Sequence, residues 1–85
     1  MKSSLAIQAR DIVSWRESKT AVLAALMFVL GVSNLEVTET DRGLTIDMNL
    51  TKAVKSMETI INYFQKHYEG FPLNLAIVIR QDMNQ

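Results

Sequence analysis

The chain opens on SSLAIQARDIVSWRES, where Leu5, Ala9, Ile12 and Val13 fall at i, i+4, i+7 and i+8. That spacing predicts an amphipathic helix, with Ser3 or Ser4 accepting a backbone N–H at its start. Arg16, Glu17, Ser18 and Lys19 then interrupt the apolar pattern, and Ser18 or Thr20 can cap a new helix. The second helix takes in the unbroken apolar run from Ala21 to Leu30 and stops at Gly31, a residue suited to the left-handed position past a helix end. Residues 4–30 therefore read as a helical hairpin whose second arm is apolar nearly all round.

The period then changes. Leu35 and Val37 alternate with Glu36 and Thr38, and Leu44, Ile46, Met48 and Leu50 alternate with Thr45, Asp47 and Asn49. This is a β-hairpin over residues 35–50, closed by an Asp41-Arg42 turn with Gly43 in a positive-φ bulge position. Helical spacing returns in residues 51–69. Ala53, Met57, Ile60, Ile61, Phe64 and Tyr68 lie on one side, and Lys52, Lys55, Thr59, Asn62 and Lys66 on the other. Asn49 or Thr51 caps this helix, and Gly70 with Pro72 ends it. In the last element, residues 73–80, Leu73, Leu75, Ile77 and Ile79 share one face of a strand while Ala76 and Val78 occupy the other, so burial on both faces is expected. The residues after it have no period and read as a frayed tail.

The predicted architecture is a single small α+β domain of order α-α-β-β-α-β. Its three-stranded mixed sheet, the hairpin plus the C-terminal strand, packs on helices. Short loops around the long helix run the last strand parallel to the second hairpin strand, and an order of 2-1-3 places it beside the first.

The apolar run raises the question of a membrane. The roughly twelve residues from Ala21 to Val32 span about 18 Å as a helix, against a hydrocarbon core of ~30 Å. A signal peptide fits poorly, because the preceding segment is long, carries Asp11 and Glu17, and leads to no A-x-A-like cleavage site. A folded chain in the cytoplasm, away from membranes, is the expectation. Hydrophobic residues make up 48% of the 85 and charged residues 21%, the range of a domain with a core. Formal net charge is zero, so no global field draws the chain to nucleic acid or anionic lipid. The absence of Cys removes disulfides, thiolate ligands and thiol nucleophiles.

Candidate chemistry is sparse. There is no P-loop, G-x-G-x-x-G, G-x-S-x-G, H-E-x-x-H or EF-hand loop. His67, the one histidine, could act as a base near Tyr63 or Glu69, but its place near a helix C-terminus accounts for it without catalysis. Glu36, Glu39, Asp41 and Asp47 cluster around the hairpin, where charge also discourages edge pairing; convergence on a cation is not implied. Among Tyr63, Phe64, Tyr68 and Phe71, spacing puts Phe64 and Tyr68 in the core and Phe71 at the corner into the last strand. No catalytic residue, metal site or cofactor is expected.

Two functions remain. The first is a non-enzymatic protein-interaction module, an adaptor, inhibitor or regulator, acting as a homodimer and on another protein. Its apolar interface is drawn from Trp15, Val22, Leu26, Val29, Ala76 and Val78. The second is a nucleic-acid-binding transcriptional regulator using Lys52, Lys55 and Lys66 as phosphate contacts and the hairpin as a wing. Two helices before a hairpin are similar to a winged helix, but the recognition position holds AVLAALMFVL, which offers no base or phosphate contact. The α-β-β-α-β order is similar to that of some KH-like RNA-binding domains, whose G-x-x-G loop is missing here. Nucleic acid is therefore not the expected partner.

Overall fold

The computed structural model of the chain describes residues 2–72 and 74–81. Its elements are β1 (Ser3–Ala9), α1 (Ile12–Leu30), β2 (Thr38–Thr40), β3 (Gly43–Met48), α2 (Leu50–His67) and β4 (Leu75–Gln81). They form a four-stranded sheet of order β2-β3-β1-β4, every neighbour antiparallel.

The predicted helical hairpin is replaced by a strand and one long helix. In β1 every second residue, Ser3, Leu5, Ile7 and Ala9, is buried beneath the helices, which is the period of a strand. Leu5 and Ala9 fit both periods. Ile12 and Val13, which completed the helical stripe, are in fact exposed, Val13 by 59%. Helix α1 starts at an unforeseen cap: the Ser14 amide donates to Asp11 Oδ1 at 2.8 Å. The polar stretch Arg16–Lys19 is a solvent-side turn within that helix and does not break it, because Ser14, Trp15, Val22, Ala25 and Leu26 keep facing inward. Gly31 does end it, at φ 67°.

The hairpin expected over residues 35–50 is shorter, with β2 beginning at Thr38 and β3 ending at Met48, and the helix expected over 51–69 begins one residue earlier, at Leu50, and ends two residues earlier, at His67. The Lys52 amide donates to Asn49 Oδ1 at 2.8 Å, so Asn49 is the cap of α2. Gly43 does not take a positive φ. Its requirement is space: a Cβ there would lie 1.9 Å from the Ile7 carbonyl oxygen on β1. The strand order also differs from 2-1-3. β1 occupies the centre, so the first hairpin strand β2 and the last strand β4 form opposite edges. β4 does run in the same direction as β3, with β1 between them. Leu73, the predicted start of the last strand, and the tail from residue 82 lie outside the described residues.

Both helices cover one face of the sheet. Leu5, Ile7, Val22, Leu26, Leu44, Ile60 and Phe64 are fully enclosed between the layers, each worth about 1.5–3 kcal/mol relative to exposure. α2 lies over β1 and β4, and α1 lies beside it, touching α2 and β1. The other sheet face carries Ser4, Ala6, Gln8, Thr45, Asp47, Ala76, Val78 and Arg80, as the register requires. β4 is thus covered on one face only, with Ala76, Val78 and Arg80 exposed.

Candidate protein-interaction site

A helix that is apolar all round must leave part of its apolar surface outside a two-layer fold. From Thr20 to Leu35 no charged residue occurs. Val22, Ala25 and Leu26 turn to the core, leaving Thr20, Ala24 and Phe28 exposed at successive helical turns. Phe28 is 69% exposed. It rests on α2, its ring centroid 5.2 Å from that of Tyr63 and 6.4 Å from that of His67. Tyr63 and His67 are themselves 4.5 Å apart. The result is an aromatic ridge along the seam between the helices, above a shallow depression of about 330 Å³ lined by Phe28, Val29, Thr59, Asn62, Lys66 and His67 among others.

The interface residues expected from the sequence divide sharply. Trp15, Val22 and Leu26 are buried in the intramolecular core and present no surface. The reason is geometric: on a uniformly apolar helix, sequence does not say which side meets the sheet. Val29 is half-buried against the core, while Ala76 and Val78 are exposed on the open sheet face. Phe28, the most exposed large apolar side chain of the ridge, was missed. The signal available was the charge-free length of the segment, which guarantees an apolar outer face whichever way the helix turns.

Lys52 and Lys55 border a depression of about 200 Å³ with Val29, Leu30, Ser56 and Thr59, and Lys66 borders the adjoining one beneath Phe28. All three lysines therefore lie along the flank of α2 that meets α1, and the aromatic ridge runs beside them. The hairpin is no projecting wing, since β3 is paired on both sides. Tyr68, expected in the core, is 46% exposed, though its ring stacks 5.0 Å from Phe64. Phe71 does fill the corner, edge-on to Phe64 at 5.2 Å.

The hairpin carboxylates do not converge. Glu39 accepts from Lys19 Nζ at 2.7 Å, and that hydrogen bond holds its carboxyl below the usual value. Asp11 is likewise held low, first by the Ser14 amide. Glu36 and Asp47 line a broad cleft of about 560 Å³ beside Leu35, Val37, Thr38 and Thr45. Among the described residues no three His, Cys, Asp or Glu side chains gather as metal ligands, and no helix is long and apolar enough to cross a membrane.

The class defined by these elements is a small α+β domain of two interleaved β-α-β units on a four-stranded antiparallel sheet, the ferredoxin-like arrangement. Comparison with solved structures finds a match in the crystal structure of protein SP2199 from Streptococcus pneumoniae, at 12% identity and a TM-score of 0.55, covering 100% of this chain and 89% of that one. At that identity the likeness shows the fold alone. No family model and no curated protein matches the chain.

Proposed function

We propose that the chain is a small protein-interaction module without catalytic activity, a cytoplasmic adaptor or regulator that works as a homodimer and offers the α1 ridge to another protein. The ridge carries this reading. Exposed aromatic side chains are characteristic of the centre of a protein interface, and on the α1 side the ridge is free of charge from Thr20 to Leu35. Phe28 stands out of α1 with Ala24 and Thr20 behind it and Tyr63 at its side. Capture from native cell extract tests it: a protein held by the wild-type chain is lost with Phe28→Ser, and equal capture by Phe28→Ser contradicts the reading.

A second reading, single-stranded nucleic acid on the same ridge, is favoured by the way Phe28 and Tyr63 stand beside Lys52, Lys55 and Lys66. It predicts tight, salt-steep retardation of an oligonucleotide that disappears when the three lysines become Gln. The zero net charge favours the protein partner.

A further inference from the structure

The two edges of the sheet are built differently. The β2 edge is three residues long, wholly exposed, tied by the Lys19–Glu39 ion pair and followed directly by Asp41 and Arg42. Short length and charge are the usual protections of a sheet edge. The β4 edge is more than twice as long and carries its one charge, Arg80, only near its end. It runs seven residues, LAIVIRQ, with no Pro and no charge before Arg80, and among the described residues no strand pairs its outer side.

The register shows which backbone groups that edge offers. The Arg10 amide donates to the Asn74 carbonyl at 2.8 Å, and the Ala9 amide turns the other way, to Arg42 on the β3 side at 2.6 Å. Alternation along an antiparallel ladder then points the N–H and C=O groups of Ala76, Val78 and Arg80 at β1 and those of Ile77, Ile79 and Gln81 outward. The outward amide of Leu75 is taken by the Pro72 carbonyl at 3.1 Å.

The helix above the edge is unfinished on the same side. One flank of α2 meets α1 through Ser56, Thr59 and Tyr63. Helical spacing puts Leu50, Val54, Met57 and Ile61 on the opposite flank. Leu50 and Val54 are 39% and 40% exposed, and Met57 and Ile61 are half-buried. Below them Ile77 and Ile79, which face the helices, are also only half-covered. An open backbone edge and an apolar helix flank thus lie on one side of the molecule.

We propose that a second copy of this chain closes that side, β4 pairing antiparallel with its own counterpart about a two-fold axis at Val78. This inference supplies the interface of the homodimer in the functional reading above. The strand is self-complementary in that register: Ile77 faces Ile79 of the second copy on the helix side, Val78 faces its counterpart on the open side, and Ala76 faces Arg80. The outward groups of Ile77 and Ile79 then hydrogen-bond across the axis. Helix spacing fits as well. With α2 lying over β1 and β4, the two copies of α2 stand about two strand spacings apart, roughly 10 Å, close to the 8–10 Å of packed helices. Leu50, Val54, Met57 and Ile61 fill that gap, and the α1 ridges stay outward at both ends.

Light scattering at high micromolar concentration tests the assignment. The wild-type chain is expected at twice its monomer mass. Val78→Lys places two like charges opposite each other on an already exposed site, and should raise the dissociation constant more than about tenfold with an unchanged circular dichroism spectrum. Val54→Lys, on the helix flank, should do the same and serves if the strand variant fails to fold. Phe28→Ser should remain a dimer. A monomeric wild-type chain overturns the proposal, as does a dimer untouched by Val54→Lys or dissociated by Phe28→Ser. A monomer that still captures a protein through Phe28 overturns the dimer and leaves the ridge reading standing.

Discussion

The orientation of α1 is the feature on which the functional reading turns, and two substitutions about 200° apart around that helix test it. Leu26 is 0% exposed and belongs to the enclosed core, whereas Phe28, two residues on, is 69% exposed. Leu26→Ala removes fully packed methyl groups and is expected to cost about 2–5 kcal/mol. Phe28→Ala removes a ring of which less than a third is covered, roughly 60 of ~200 Å², worth about 1.5 kcal/mol at ~25 cal/mol/Å². The smaller side chain should therefore be the costlier one to truncate, by about 2 kcal/mol at mid-range, or roughly 8–16 °C in Tm for a domain of this size. Urea unfolding at low protein concentration measures both, followed by emission from Trp15, the chain's one tryptophan and a buried one. Equal costs, or a greater cost at Phe28, would refute the orientation of the helix and with it the ridge.

Gly43→Ala should lower stability by about 2–3 kcal/mol, since the added Cβ would lie 1.9 Å from Ile7 O and 2.9 Å from Gln8 Cα, both backbone atoms that move only if β1 and β3 part; an unchanged urea midpoint would contradict it. Asp11 and Glu39 both have lowered carboxyl pKa values in the folded chain. Their contribution is therefore present above the ordinary carboxylate range and is lost as pH falls through the lowered values, below about pH 4. Because both groups are solvent-accessible the effect is small, and Asp11→Asn with Glu39→Gln should flatten the acid limb of a stability-against-pH curve; an unaltered limb would count against these contacts.

The parts of the fold legible in the sequence are those where one period had no rival. The 3.6-residue stripe of α2 and the alternation from Leu44 to Met48 hold in the structure because polar residues mark the opposite face. In β1 the polar marker was interrupted: of Ser4, Ala6 and Gln8 on the face opposite Leu5 and Ile7, the central Ala6 is apolar and small enough to pass for part of a helix face. Asp11, three residues before Ser14, was the cap that would have moved the helix start beyond the strand. Placing the first strand at the centre also required a long-range pairing that local pattern does not encode, so the sheet order was out of reach. For the same reason the edge status of β4 and the outward turn of Phe28 emerge only in three dimensions. Ala76 and Val78 could be named as interface positions on a strand expected to be buried on both faces, but their exposure and the backbone edge beside them could not be read from the sequence.

Amide hydrogen exchange at Ile77 and Ile79 reads the β4 edge itself, because those two groups point out of the isolated sheet and into the ladder of the proposed dimer. Exchange at these two residues is expected to slow markedly between dilute and concentrated protein, with the amides of Ala76 and Val78, already bonded toward β1, protected at both concentrations. Rapid exchange of Ile77 and Ile79 at every concentration would show that no second copy covers the β4 edge.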